Sequence, residues 1–159
     1  MSFGALSVKG RALRYLAHRE HSRLELEQKL ARRVLGTPEA SAAAQIAQAL
    51  DELCARGLIS AERVAESVLT SRAPRYGVYR LRQTLQAKGL DATLVAATLA
   101  TARLTELERA RALWQRRYGT PASSAADRAR QMRFLAGRGF EGAVIRAVVQ
   151  GGGEPDDAA

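Results

Sequence analysis

The 159-residue chain carries 25 Lys and Arg against 16 Asp and Glu, a net charge of +9, with 47% apolar and only 5% aromatic residues. That apolar share excludes a disordered chain, and so few aromatics leave packing to Leu, Ala and Val, a composition that favours helix over sheet. A single cysteine, Cys54, excludes an internal disulfide and fits a reducing cytoplasm.

In chain order, the first helix carries Leu13, Leu16 and Ala17 on one face. A second starts at Ser22, with Glu25 three residues on, the spacing of a capping box. Leu26, Leu30 and Val34 form its apolar stripe, and Gly36-Thr37-Pro38 breaks it. A third helix places Ile46, Leu50, Leu53 and Cys54 on one face and stops at Gly57, with Leu58 behind it. From Ser60 a fourth carries Val64, Val68 and Leu69; Pro74 and Gly77 interrupt the chain. The fifth carries Val78, Leu81 and Leu85 and stops at Gly89. Asp91 caps a sixth with Leu94, Val95 and Leu99. Thr105 and Glu108 read as another capping box, opening a helix with Leu107, Ala110 and the core anchor Trp114. After Gly119-Thr120-Pro121, Met132, Leu135 and Ala136 line a helix ending at Gly139-Phe140. Val144, Ile145, Val148 and Val149 line the last one.

The pattern repeats. Leu30 to Leu35, Leu85 to Leu90 and Leu135 to Phe140 each place a Leu, a basic residue three on and an apolar residue five on. Copies spaced about 50 residues apart suggest stacked supersecondary units. No segment alternates with period two long enough for a strand. The expected fold is all-α: three tandem three-helix repeats in an elongated, curved, right-to-left stacked body. The expected division is a lead-in over 1–9, repeats over 10–59, 60–102 and 103–150, and a disordered acidic tail over 151–159.

Charge points to an acidic partner. Lys9, Lys29 and Lys88 are the only lysines, so nearly all the positive charge is arginine, which grips phosphate or carboxylate through paired hydrogen bonds. The third repeat is the most basic, with Arg116, Arg117, Arg128, Arg130, Arg133 and Arg138. Around the break in the second, Arg72, Arg75, Arg80 and Arg82 surround Tyr76, a set able to hold phosphates and stack a base, or equally to form a solvated face. No stretch reads as a signal peptide, since charge starts at Lys9. The uncharged run Ala92 to Ala102 falls short of the ~20 residues of a membrane span. A soluble cytoplasmic protein is expected.

Motifs for catalysis are absent or lack their context. Gly137-Arg138-Gly139-Phe140-Glu141-Gly142 matches G-x-G-x-x-G, but the dinucleotide fingerprint needs a strand before it and an acid about 20 positions later. Arg138-Gly139-Phe140 opens like an RNA-recognition signature without its sheet. His18 and His21 lack the further ligands of a zinc site and read as exposed imidazoles at a helix C-terminus. Cys54 reads as core. No enzyme activity, catalytic residue, metal or cofactor is expected.

These residues resemble the RecX family. The likeness runs through Ala12 to Arg23, Glu25-Leu26 and Lys29-Leu30 in the first repeat. The middle repeat matches best: Glu62-Arg63, Ala65-Glu66-Ser67, Arg72, Gly77, Arg80-Leu81-Arg82, Leu85 and Lys88-Gly89-Leu90. Phe134-Leu135 and Arg138-Gly139-Phe140 carry it in the third. The family often has an acidic pair where Ser60-Ala61 stand and an aromatic at Val64, and the Thr37–Ala44 stretch looks like a variable insertion. The resemblance implies binding along the groove of the RecA–DNA filament, and inhibition of recombination, DNA-stimulated ATP hydrolysis and repressor cleavage. From charge and position, the candidate contacts are Arg72, Arg75, Tyr76, Arg80, Arg82, Lys88, Arg116, Arg117 and Arg138. Single- or double-stranded DNA is expected to bind weakly or indirectly, and a monomer is expected because tandem units bury each other's faces. The alternative is a helical protein that binds DNA directly and without sequence preference; a third reading is a helical scaffold. Leu53 to Ile59 resembles the end of a winged-helix recognition region, but Ser60 onward reads as helix where a wing needs strands.

Overall fold

The computed structural model describes residues 5–151. Apart from Gly151, the expected acidic tail lies outside the described residues, as does the start of the lead-in. The described residues form nine α-helices and no strand, in three successive groups of three, as expected. They are α1 (Val8–Leu16), α2 (Arg23–Ala31), α3 (Ala42–Ala55), α4 (Ala61–Arg72), α5 (Val78–Ala87), α6 (Ala92–Leu104), α7 (Glu106–Arg117), α8 (Ala125–Gly137) and α9 (Gly142–Gln150). The chain condenses into two compact units that cut across the middle group. One runs up to Ser67 and takes in Ala87–Asp91; the other joins Val68–Gln86 to the chain from Ala92 onward.

In the first unit, α1, α2 and α3 pack mutually around Leu26, Leu30, Ile46, Leu50 and Leu53. Each fully buried Leu contributes roughly 2 kcal/mol. Serine hydroxyls start all three helices by accepting from backbone N–H groups: Ser7 from Gly10, Ser22 from Glu25 and Ser41 from Ala44. At Ser22 the capping box is complete, because the Glu25 carboxylate accepts from the Ser22 N–H at 2.9 Å. The α3 C-terminus closes as its glycine and following leucine predict: Gly57 N–H donates to Cys54 and Leu58 N–H to Leu53.

Two sequence expectations shift here. The buried face of α1 centres on Ala12, with Val8, Tyr15 and Leu16 beside it, whereas Leu13 and Ala17 are exposed. A nine-residue helix with arginines at 11 and 14 turns its aromatic ring inward and leaves an aliphatic side chain out. His21 is buried rather than exposed. Its Nδ1 lies 3.0 Å from the Arg19 carbonyl, so it must carry the proton, and Nε2 accepts from the Lys29 ammonium at 2.9 Å. Lys29 also lies over the Tyr15 ring, 4.7 Å from its centroid. Burial is the main reason the His21 pKa lies below its ordinary 6.5, and Arg19 and Lys29 add repulsion to the charged form.

Stability should therefore depend on acid in two steps. An unfolded His21 binds protons that the folded one refuses, so its contribution is complete above pH 6.5 and is lost as pH falls below that value. Glu25 follows. Burial opposes its charge, but Lys88, the Ser22 N–H and Arg19 outweigh it and hold the carboxyl at about 2 against an ordinary 4.5. Its contribution is present above 4.5 and drains as pH falls towards 2. Urea midpoints between pH 8 and 3 should fall in this order, and His21→Gln should remove the step below pH 6.5.

The second unit has its own core, built from Ala110, Leu113, Trp114, Leu135, Phe140, Ile145, Val148 and Val149. α9 packs against both α7 and α8, and α7 also meets α6. Trp114 is the expected anchor; its indole N–H donates to Gln131 Oε1 at 2.8 Å, satisfying two buried polar groups at once. The capping box expected at Thr105 does not form. The Thr105 side chain makes no cap bond to α7, and its hydroxyl faces the Ala102 carbonyl instead. The acid that matters at this helix start is Glu106.

A candidate partner interface built from arginines and aromatic rings

The second unit holds its most basic surface in place through two charged side chains one helical turn apart on α7. Glu106 is buried, and its Oε1 accepts from the N–H of Val78 at 3.1 Å and of Glu141 at 3.2 Å. These are the starts of α5 and α9, where backbone N–H groups lack helical partners and a negative charge is favoured. Arg109 does the reverse. Its guanidinium donates to the carbonyls of Ala73 at 2.6 Å, Tyr76 at 2.7 Å and Ala102 at 2.8 Å, which lie at or beyond the C-terminal ends of α4 and α6. Its Nε donates to the Thr105 hydroxyl at 3.1 Å. Burial pushes the Arg109 pKa below its ordinary value, and the neighbouring Glu106 opposes that shift. One carboxylate thus satisfies two helix N-termini and one guanidinium pins two helix C-termini, fixing the α4–α5 turn that carries Tyr76.

Backbone contacts complete the arrangement. Gly77 N–H donates to the Arg138 carbonyl at 2.9 Å, and Tyr79 N–H to the Gly139 carbonyl at 3.0 Å. The start of α5 is therefore laid directly on the α8–α9 turn. The approach is too close for side chains: a Cβ on Gly77 would lie 2.3 Å from the Phe140 Cα. Gly139 has a φ of +83°, and a Cβ there would lie 2.6 Å from the Arg80 backbone nitrogen.

This closeness brings together residues far apart in sequence. Arg80 and Arg138 both lie against the Tyr76 ring, 5.8 and 5.6 Å from its centroid. Arg138 also lies 5.4 Å from the Phe134 centroid, and Arg117 reaches the same ring at 5.7 Å. Arg117 continues to Tyr118 at 6.0 Å, and Tyr118 meets Phe134 edge-on at 5.7 Å between centroids. The result is a ladder of alternating cations and rings: Arg80, Tyr76, Arg138, Phe134, Arg117, Tyr118. Each contact is worth roughly 0.5–1 kcal/mol at an exposed site and restricts where the guanidinium can go.

Of the residues expected from sequence, Tyr76, Arg80, Arg117 and Arg138 stand in this ladder. Arg72 and Arg75 are exposed at the end of α4 and in the turn after it, Arg82 is half-buried on α5, and Arg116 is exposed on α7. Among the described residues, none of these arginines is salt-bridged to a carboxylate, whereas Arg23, Arg63, Arg103 and Arg130 are. Lys88 is placed differently. It belongs to the first unit and its ammonium is paired with Glu25 at 2.8 Å. Cys54 is half-buried against the first core, and no group of three or more His, Cys, Asp and Glu among the described residues could hold a metal ion. No described helix is long and apolar enough to cross a membrane.

Phe134, Tyr118, Glu106 and Arg109 carry no site signal in the sequence alone. Phe134 and Tyr118 lack a local basic motif of their own. Glu106 and Arg109 do their bonding to backbone groups up to 36 positions away, which no local spacing reveals.

Known proteins bear on this arrangement. The sequence pattern of the RecX third three-helix domain matches residues 105–149, and that of the second matches 62–99. The regulatory protein RecX of Leptothrix cholodnii is 51% identical over 145 residues, spanning 91% of this chain and 88% of that protein. The chain belongs to the RecX family. The regulatory protein RecX of Ralstonia nicotianae is 42% identical, with 92% of this chain and 88% of that protein covered. Among solved structures, RecX from Lactobacillus salivarius superposes with a TM-score of 0.72 at 21% identity, over 91% of this chain and 93% of that one, which shows a shared fold. The RecX third-domain match covers α7, α8 and α9, and therefore Glu106, Arg109, Arg117, Phe134 and Arg138; the second-domain match covers Tyr76 and Arg80. The ladder thus joins a RecX second domain to a RecX third domain.

Proposed function

We propose that this chain is a non-enzymatic regulator that binds in the groove of the RecA–DNA filament and inhibits the recombinase, ATPase and coprotease activities of RecA. It acts in the cytoplasm as a monomer. The observation that carries this reading is the ladder from Arg80 to Tyr118: guanidiniums ordered by rings and without acidic partners of their own in the described chain. Ordered, unpaired arginines lose little freedom on meeting a carboxylate or phosphate. A protein–DNA filament offers phosphates along its DNA and carboxylates on its protein surface. Arg72, Arg75, Arg82 and Arg116 extend the same charge around the ladder, while Lys88 supports the first unit through Glu25. Inhibition requires that the chain bind one filament state better than another, so that occupancy shifts the filament towards inactive or dissociating forms.

The test is binding to RecA filaments preassembled on single-stranded DNA. The variant Arg80→Gln/Arg117→Gln/Arg138→Gln should bind at least tenfold more weakly, since each charge-assisted hydrogen bond lost is worth about 1.5 kcal/mol or more. Unchanged binding would refute the role of the ladder. A second reading is direct, sequence-independent DNA binding, favoured by the same alternation of cations and rings, which suits phosphates and stacked bases. It predicts that the variant loses affinity for naked DNA and filament equally, with a steep salt dependence for both.

A further inference from the structure

The first unit holds a second basic feature, separate from the ladder. A partly enclosed cavity of about 240 Å³ lies between α1 and the turn that follows α2. Arg11 and Arg14 of α1 line it, with His18 from the turn after α1 and Arg33 from the turn after α2. Arg11 and Arg14 lie one helical turn apart on α1 and so share one face. Arg11 is oriented by a bond from its Nε to the Leu6 carbonyl at 3.1 Å. No carboxylate lines the cavity, and none of the three arginines is ion-paired among the described residues. The Tyr15 ring and Leu30 supply an apolar wall.

We propose that this cavity is a binding site for the terminal phosphate monoester of a nucleotide, carried on its ribose or deoxyribose. Three arginines lining one cavity that no carboxylate lines suit a dianion, which a guanidinium fork can meet with paired hydrogen bonds. The cavity is smaller than the ~300 Å³ at which sites for drug-sized ligands begin. It has room for about eight water-sized groups, which accommodates a phosphate and part of its sugar but not a whole nucleoside triphosphate. The apolar wall gives the sugar a surface that a bare ion would not use. The phosphate can come from a free nucleoside monophosphate or from the 5′ end of a DNA strand.

Calorimetric titration of the full chain separates these cases. The probes are dTMP, trithymidylate with a 5′-phosphate, the same trinucleotide with a 5′-hydroxyl, and inorganic phosphate. Phosphate-ended probes should bind at least tenfold more tightly than the hydroxyl-ended trinucleotide and than inorganic phosphate. Comparable affinity for dTMP and the phosphorylated trinucleotide identifies the free nucleotide as sufficient; a clear gain for the trinucleotide identifies a strand end. Arg14→Gln/Arg33→Gln, at exposed positions outside the core, should lose at least tenfold. Arg14→Lys/Arg33→Lys, which keeps charge but not the forks, should recover only part. The ladder variant Arg80→Gln/Arg138→Gln should bind dTMP as the unmodified chain does. Equal binding of hydroxyl-ended and phosphate-ended probes, indifference to the Arg14 and Arg33 substitutions, or no heat from any probe would overturn the proposal.

Discussion

Gly77→Ala should destabilise the second unit by about 3 kcal/mol or more, at the upper end of single-residue effects. The added Cβ would stand 2.3 Å from the Phe140 Cα and 2.4 Å from the Gly139 carbonyl oxygen. Both neighbours are backbone, so no side-chain rotation relieves the clash; α5 must move off the α8–α9 turn. That movement breaks the bonds from Gly77 N–H to Arg138 and from Tyr79 N–H to Gly139, and it separates Tyr76 and Arg80 from Arg138. Trp114, the only tryptophan, lies in the core of this unit, so its fluorescence reports the unfolding directly. The urea midpoint should fall sharply and filament binding should fall with it. A Gly77→Ala protein with an unmoved Trp114 transition would show that this backbone approach is not as drawn.

Glu106→Ala is expected to cost about 3 kcal/mol, and Glu106→Gln clearly less. Alanine strips the acceptor from two helix-terminal N–H groups, at Val78 and Glu141, and takes away the negative charge beside a half-buried Arg109. Each buried donor left unsatisfied costs about 1–3 kcal/mol, and an uncompensated charge adds to it. Glutamine keeps the oxygen and loses only the charge. The ordering of Trp114 midpoints, unmodified above Gln above Ala, therefore reads out hydrogen bonding separately from charge. Equal losses for Gln and Ala would mean that the charge facing Arg109 dominates.

Much of this fold is legible in the sequence because its determinants are local. The Ser22–Glu25 box, the Gly57-Leu58 and Gly139-Phe140 helix ends and the Leu26–Leu30 and Ile46–Leu53 stripes all act within a few residues. Where the structure departs from the local pattern, a tertiary contact decides the outcome. Spacing points Leu13 inward, but Tyr15 takes the inner place beside His21 and Lys29. Thr105 and Glu108 matched a capping box, but the carboxylate two places earlier is drawn into the junction of α5 and α9. The site shows the same division. Clustered arginines around Tyr76 stand out in sequence. Their connection to Phe134 and Arg117 depends on Gly77 meeting Gly139, a contact 62 positions apart that composition cannot reveal.

The most direct test of the central claim is ATP hydrolysis by the cognate RecA on single-stranded DNA, with this protein titrated in at fixed moderate salt. Its binding to the same DNA without RecA is measured in parallel. A filament regulator should inhibit hydrolysis well below the concentration that coats the DNA, and Arg80→Gln/Arg117→Gln/Arg138→Gln should need at least tenfold more. Inhibition that appears only as the DNA itself saturates would contradict the account and leave a plain DNA-binding protein in its place.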